Sequence, residues 1–461
     1  MWLLSFIFSS DNMAMTVNET YQAKKGVILY HTFGCKLNFA ETATLQQRLE
    51  EEGYTTFHPG SSDSGLPAPD IIVINSCSVT EVADKKCRQY IRSVNRRWPH
   101  AAIAVTGCYA QLKPDSVAQL PGVRIVAGSD RKDALPDMIK SISDDSHSIF
   151  ITPTPDIDTF TPSCARGDRT RFFLKVQDGC DYRCSYCTIP RARGKSRSPL
   201  IADLISQAED VVRAGGKEIV LTGVNIGDFG KGRDDSFIDL IEQLDRVEGI
   251  ERYRISSIEP NLLTDRIIEF CASSRRFMPH FHIPLQNGSD EVLALMRRRY
   301  KTELFRRRIE AIRRSIPHAF IGVDLIVGPR GETANHFRES KTFIESLDIS
   351  RLHVFAYSER PGTDALSIPH KVNPAEQSRR VNEMIRLSDN KLNLFAQRFE
   401  RTIRPVLLEH ARQDGIMSGF TDNYLRIKVE APDSLDNSIV NVRLLEWDAK
   451  GQYFRGELAD V

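Results

Sequence analysis

The sequence predicts a multidomain α/β fold: an N-terminal doubly wound parallel sheet, a central partial (β/α) barrel and a small antiparallel β-barrel at the C-terminus. Three observations carry this reading. Apolar β-type runs alternate with amphipathic helical patterns from Gly26 to about Lys140 and again from about Arg171 to Glu400. Residues 401–461 keep the β-type runs and lose the helices. A length of 461 residues, at about 150 per domain, gives roughly three domains.

In the first region Val27–Tyr30, Ile71–Ile74 and Ala101–Val105 are short strands, each ending at a turn signal, and Thr42–Glu51 and Glu81–Arg97 read as helices. Residues 141–165 are rich in Ser, Thr, Asp and Pro and read as a linker between a domain at 25–140 and one at 166–400. The second region offers strands at Phe172–Val176, Glu218–Leu221, Arg252–Ser256, His280–Ile283, Phe320–Ile326 and Leu352–Ala356. Six strand–helix units suit a barrel whose chemistry sits at the C-terminal strand ends. A long helix from Pro374, capped by Asn373, closes it. Beyond Arg401, the runs Arg404–Glu409, Tyr424–Val429, Val440–Leu445 and Tyr453–Leu458 are separated by Gly, Asp and Asn turns.

Composition narrows the function. Hydrophobic residues at 41% and charged residues at 27% describe a packed globular protein and exclude wholesale disorder. No apolar run approaches the ~20 residues that span a bilayer, so no membrane partner is expected. The short apolar stretch in Met1–Ser10 lacks a basic region before it and a cleavage site after it, so residues 1–24 read as a disordered leader rather than a signal peptide. Nine cysteines are too few for a disulfide scaffold and point to metal or redox chemistry in a reducing compartment, the cytoplasm.

Cys180, Cys184 and Cys187 stand at Cys-x3-Cys-x2-Cys spacing directly after a predicted strand. Three thiolates on one loop can hold three irons of a compact iron–sulfur cluster and leave the fourth open to a ligand. A zinc site would want a fourth Cys or His, and none follows within thirty residues. Cys35, Cys77 and Cys108 lie far apart, yet each follows an apolar strand. In a doubly wound sheet the C-terminal strand ends share one edge, where three such cysteines can meet; three isolated buried thiols are the alternative. Cys87 sits about 9 Å into its helix and is assigned a structural role, as are Cys164 and Cys271.

The 180–187 motif resembles the signature of the radical S-adenosylmethionine (SAM) enzymes. That resemblance implies a 4Fe-4S cluster whose open iron chelates SAM, and one-electron cleavage of the sulfonium to a 5′-deoxyadenosyl radical. The stretches Gly34–Thr42, Asn75–Thr80 and Thr106–Gln111, with His282–Asp290, Gly322–Gly328 and Phe355–Thr363, resemble the methylthiotransferases, and residues 401–461 resemble the TRAM RNA-binding module. This implies a second 4Fe-4S cluster on Cys35, Cys77 and Cys108, catalytic roles for Cys180, Cys184 and Cys187, and a SAM pocket formed by Tyr186, Gly216, Glu218, Gly223, Asn225, Glu259 and Gln286. Within the family, Gly34-Cys35-Lys36-Leu37-Asn38 resembles the group that converts N6-threonylcarbamoyladenosine-37 of tRNA to its 2-methylthio form. The other groups act on isopentenyladenosine-37 or on a ribosomal-protein aspartate; a non-catalytic, metal-stabilised RNA-binding protein is the alternative from another class. The implied partners are that tRNA, an electron donor such as flavodoxin or ferredoxin, and a sulfur source.

The net charge of +1 names no partner, but charge is clustered. Residues 166–197 hold nine basic against three acidic groups, residues 297–314 nine against two, and residues 85–97 six against none. All three are expected to grip phosphates. Residues 401–461 carry eight basic and ten acidic groups, which leaves Arg426 and Lys428 as their candidate RNA contacts.

Overall fold

A computed structural model describes residues 25–58, 68–142, 147–165, 170–409 and 415–459; the leader expected at 1–24 lies outside them. The first sheet contains β1 (Val27–Thr32), β2 (Thr55–Phe57), β3 (Ile71–Ser76), β4 (Ala102–Gly107), β5 (Val123–Ala127) and β6 (Ser148–Phe150) in the order β2-β1-β3-β4-β5-β6, with every pair parallel. Each side of the sheet carries its own apolar layer, because neighbouring strand residues point to opposite faces. Leu29, Ile72, Ile74, Ile103 and Val105 pack on one side, and Ile28, Tyr30, Val73, Ala104 and Ile125 on the other. Helix α1 (Lys36–Glu51) covers the second side through Leu45 and Leu49, and α2 (Glu81–Arg97) covers the first through Cys87, Ile91 and Val94. Thr80 caps α2, its hydroxyl accepting from the Ala83 N–H.

The stretch read as a linker is more structured than expected. Its Ser148–Phe150 segment extends the first sheet, and β7 (Cys164–Ala165) runs antiparallel to β8 (Phe172–Lys175). Edge strands of two or three residues carry too little pattern to stand out from a Ser/Thr/Pro-rich background. From there β9 (Glu218–Thr222) and β10 (Arg252–Ile255) complete a four-stranded sheet, and β11 (His280–Gln286), β12 (Phe320–Val327) and β13 (Arg351–Ala356) form a three-stranded parallel one. Single bridges, Tyr253 to Phe277 and Ser257 to His282, join the two into an open partial barrel. Leu174, Leu221, Tyr253, Phe281, Val323 and Leu352 face outward under the surrounding helices. The alternate residues face the lumen, where Ala40 of α1 packs against Phe173 and Val220. The first domain thus puts one helix against the inside of the second.

Strands β14 (Ile403–Leu408), β15 (Ile416–Thr421), β16 (Arg426–Glu430), β17 (Ile439–Asp448) and β18 (Tyr453–Leu458) close a barrel in the order β14-β15-β16-β18-β17. The helix Pro374–Gln397, with the Asn373 side chain accepting from the Ala375 N–H, leads into it. This small barrel docks on the N-terminal strand ends of the large one. Arg254 donates to the carbonyls of Thr421 (2.9 Å) and Asp422 (2.8 Å), and Arg252 to those of Pro405 (2.9 Å) and Phe420 (3.2 Å). Glu218, fully buried, receives the Arg254 Nε at 2.8 Å; burial would raise its carboxyl, but Arg254 and Arg171 hold it below its ordinary value.

Glu218→Ala would leave these buried guanidinium groups without their counter-charge, which typically costs about 3–5 kcal/mol. The expected outcome is a lower urea midpoint with the affinity for SAM unchanged. A tenfold loss of SAM affinity at unchanged stability contradicts it.

Candidate active site

The first thiol triplet lies on the loop that follows β8. Gln177 stiffens this loop from inside: its Nε2 donates to the Asp178 and Gly179 carbonyls, and its Oε1 accepts from the Val224 and Asn225 N–H groups at 3.0 and 2.7 Å. Gly179 has φ +69°, and a Cβ there would stand 1.9 Å from the Lys195 carbonyl, so only glycine fits. Cys180, Cys184 and Cys187 then border a cavity of about 340 Å³ together with Tyr186, Asn225, Glu259, Gln286, Arg298 and Asp324. Gln286 reaches this cavity through a bulge in β11 and a left-handed backbone, φ +65°.

Two donors aim at the sulfurs. Arg298 Nη1 lies 3.1 Å from Cys184 Sγ, and the Tyr182 backbone N–H 3.4 Å from Cys180 Sγ. Arg298 also pairs with Glu259, whose carboxyl burial raises and Arg298 pulls back. Burial pushes the Cys180 and Cys187 thiols up to about 12 and raises Cys184 as well. These are protonated thiols until a metal displaces their protons.

The second triplet gathers at the C-terminal ends of β1, β3 and β4. Cys35 is the residue capping α1, Cys77 follows β3, and Cys108 opens α3 (Cys108–Leu112). A Cβ on Gly34 would stand 2.7 Å from Cys77 Cβ, so glycine lets two of these segments touch. Burial pushes Cys77 up to about 12, and the neighbouring thiols Cys108 and Cys35 add to it. Cys108, raised by burial, is pulled back by Arg193 and Lys132. All six cysteines are free thiols. Among the described residues no three His, Cys, Asp or Glu side chains enclose a single metal ion. In a four-iron cluster each thiolate takes its own iron and the ligands stand further apart, and sulfur donors in threes with N–H groups aimed at them suit such a cluster.

The two triplets meet across a buried ion cluster. Arg193 pairs with Glu41 (3.0 Å) and Asp178 (3.0 Å) and donates to Asn38 Oδ1 (2.7 Å); Lys175 pairs with Glu41 (3.0 Å) and Asp178 (2.7 Å), and Lys132 with Glu41. Burial would raise both carboxyls, yet the surrounding cations hold Glu41 and Asp178 well below the ordinary carboxylate range. Next to this cluster, Thr188 donates to the Ser78 carbonyl at 3.3 Å, and Val79 and Thr80 line the same cavity as the 180–187 thiols.

Of the residues expected in a SAM pocket, Tyr186, Asn225, Glu259 and Gln286 line the cavity. Gly223 stands just outside it, its backbone too close to Gln177 for a side chain: a Cβ would lie 2.9 Å from the Gln177 carbonyl. Gly216 and Glu218 do not reach the cavity and that expectation is corrected. Gly216 abuts Val211 and Phe172 at the far end of the strands, and Glu218 opens β9 and anchors the C-terminal barrel. Sequence reasoning missed Arg298, hidden in an arginine run, and Gln177, Glu41 and Arg193, whose partners are distant in the chain. The phosphate-gripping expectation is narrowed in residues 166–197, where Arg171, Lys175, Arg193 and Arg197 are spent on Glu409, Glu41 and Asp178 while Arg183 and Lys195 stay exposed. In residues 297–314, Arg298, Arg308 and Arg313 face Glu259, Asp265 and Asp348. By contrast, Lys85, Lys86, Arg92 and Arg96 of α2 are exposed and have no ion pair among the described residues.

Comparison with known proteins agrees with this architecture. Residues 174–344 match the radical SAM superfamily, and residues 27–128 match a family described as uncharacterized protein family UPF0004. The radical SAM methyltransferase TsrM of Kitasatospora setae, solved with cobalamin and a [4Fe-4S] cluster, shares the fold with a TM-score of 0.55 at 14% identity, over 74% of this chain and 76% of that one. The central domain is therefore a radical SAM domain. The threonylcarbamoyladenosine tRNA methylthiotransferase MtaB of Bacillus subtilis is 38% identical over 91% of this chain and 94% of its own, and that of Thermotoga maritima 34% over 86% and 89%. A tRNA-2-methylthio-N(6)-dimethylallyladenosine synthase of Aliarcobacter butzleri is 30% identical over 91% and 96%. The chain belongs to the radical SAM methylthiotransferase family.

The ion cluster makes stability pH-dependent. Its carboxyls are depressed in the folded state, so their contribution is complete above the unfolded value of about 4 and is lost as pH falls below it. The thermal midpoint of the metal-free protein is expected to hold from pH 8 to about 5 and then fall, and Glu41→Gln to lessen the fall. A midpoint that rises on acidification contradicts this.

Proposed function

We propose that this enzyme converts N6-threonylcarbamoyladenosine-37 of tRNA to its 2-methylthio derivative. The observation that carries the reading is the shared cavity: the segment after Cys77 and the loop bearing Cys180, Cys184 and Cys187 line one space. Cys180, Cys184 and Cys187 would hold one 4Fe-4S cluster and Cys35, Cys77 and Cys108 the other. When bound, the first cluster and SAM would supply the one-electron chemistry needed at C2 of the base, and the second cluster would supply a place for the sulfur.

The chain's own residues set the conditions. Tyr186, Asn225, Glu259 and Gln286 line the cavity and would hold SAM there, with Gly223 shaping the backbone beside them. Arg298 fixes the position of the Cys184 sulfur and neutralises Glu259, so the cavity holds a paired rather than a bare carboxylate. The target base must leave its stack to reach such a site, a cost of a few kcal/mol repaid by contacts inside. Along α2, Lys85, Arg92 and Arg96 project from one face over about 16 Å and begin beside the cavity-lining Thr80, in position to follow an RNA backbone. An electron donor such as flavodoxin or ferredoxin and a sulfur source complete the partners, and the site of action is the cytoplasm.

The 38% and 34% identity to two threonylcarbamoyladenosine enzymes, against 30% to the dimethylallyladenosine synthase of Aliarcobacter butzleri, supports this substrate. Nucleoside analysis of tRNA from a strain lacking the gene tests it. The 2-methylthio form of threonylcarbamoyladenosine should vanish while its precursor accumulates. Loss of a 2-methylthio isopentenyl nucleoside instead, or an unchanged profile, overturns the substrate.

A further inference from the structure

We infer that Lys36 and Arg351 form a carboxylate-binding subsite in the barrel lumen, which receives the free carboxylate of the amino acid appended to the target base. This inference rests on the proposed function and goes beyond it by assigning the contact that selects the substrate.

The placement follows from the fold. Lys36 and Ala40 are four residues apart on α1 and share a face. Ala40 packs on the lumen residues Phe173 and Val220, so Lys36, one turn nearer the helix start, faces the same lumen. Its charge is felt there: it lowers His280, His353 and Tyr424, residues of β11, β13 and the turn after β15. On the other side of the opening, Arg351 pairs in register with Gly322, and His353 with Asp324. These positions alternate with the outward-facing Leu352 and Val323, so Arg351 shares the lumen face with His353 and Asp324. Gly322 has no side chain beside Arg351, and the His353 and His282 rings close over it, at 3.3 and 3.8 Å from where a Cβ would stand.

The charges in the lumen do not cancel. Asp324 lines the cavity but is engaged by His282 at 2.7 Å, whose ring stands 5.1 Å from that of His353. Glu218 at the floor is surrounded by Arg252 and Arg254, and Arg171 is paired with Glu409. Lys36 is exposed, Arg351 half-buried, and neither side chain has a hydrogen bond or ion pair among the described residues. Desolvation, followed by the charges of His282, Arg351 and Lys36, pushes His353 down to about 4 against the opposing Asp324, so both cations act on this one ring. Two cations without a counter-charge lie on the lumen side of the barrel, the side from which Asp324 lines the reaction cavity.

The chemistry of the substrate explains why they are there. In adenine, C2 and the N6 substituent lie on the same edge of the ring, on either side of N1. Bringing C2 into the cavity therefore carries the threonylcarbamoyl group in with it. Its carboxylate leaves water and needs a cationic partner, since a buried unpaired charge is costly. A substrate with a hydrocarbon at N6 would leave Lys36 and Arg351 facing an apolar group.

The test uses anaerobically reconstituted enzyme and tRNA bearing threonylcarbamoyladenosine-37, with either the free carboxylate or its methyl ester. Lys36→Gln and Arg351→Gln should each raise the KM for the free acid about 10- to 100-fold, the range of a charge-assisted hydrogen bond. The Kd measured without SAM or reductant should rise in parallel. kcat and iron content should hold, Lys36→Arg should restore binding, and the ester should show no penalty. Unchanged KM and Kd in both variants, or equal losses on acid and ester, overturn the subsite. Arg351 is remote in sequence from every cluster cysteine, so its variant decides the matter if Lys36→Gln disturbs assembly. Wild-type enzyme that binds and turns over neither form overturns the proposed function itself, and the subsite with it.

Discussion

The arrangement depends on one buried knot of charge. Glu41 comes from the first helix, Lys132 from the far end of the same domain, and Lys175, Asp178 and Arg193 from the radical SAM domain. None is accessible to water, and each would be costly to bury alone. Together the two carboxylates and three cations offset most of that cost, but only when the two domains are fully docked. The knot therefore acts less as a source of stability than as a register: misplacing the domains strands a charge.

Everything functional is measured from that point. Glu41 is six residues after Cys35, and Asp178 two residues before Cys180, so one cluster of ion pairs fixes the start of both thiol segments. The same helix offers Ala40 and Lys36 to the barrel lumen. A second buried set, Glu218 with Arg171, Arg252 and Arg254, closes the opposite end of the barrel with the C-terminal module. The lumen is thus floored by one domain, flanked by another, and open where the reacting groups gather.

Much of this was legible in the sequence. The Cys-x3-Cys-x2-Cys spacing is local, and its position after a strand follows from periodicity alone. The dispersed thiols were legible because each ends an apolar run, and parallel strands bring such ends to one edge. Strand β15 escaped notice, since Ile416–Thr421 mixes Gly and Ser into a short run. Glu218 was misplaced because its pocket role was carried over from the family resemblance, whereas the parallel strand that begins at Glu218 anchors the C-terminal barrel and keeps it out of the cavity. Basic runs misled for a related reason: a count of charges does not reveal which are matched by acids a hundred or more residues away, as Arg193 is by Glu41.

The claim that the Glu41–Arg193 contact registers the two domains is tested most directly by a double-mutant cycle. Glu41→Gln, Arg193→Met and the double variant would be compared by chemical denaturation of the reconstituted enzyme. A coupling of about 2 kcal/mol or more is the result expected for two buried partners that depend on each other. Additivity to within about 0.5 kcal/mol, with full turnover retained in each single variant, would contradict it.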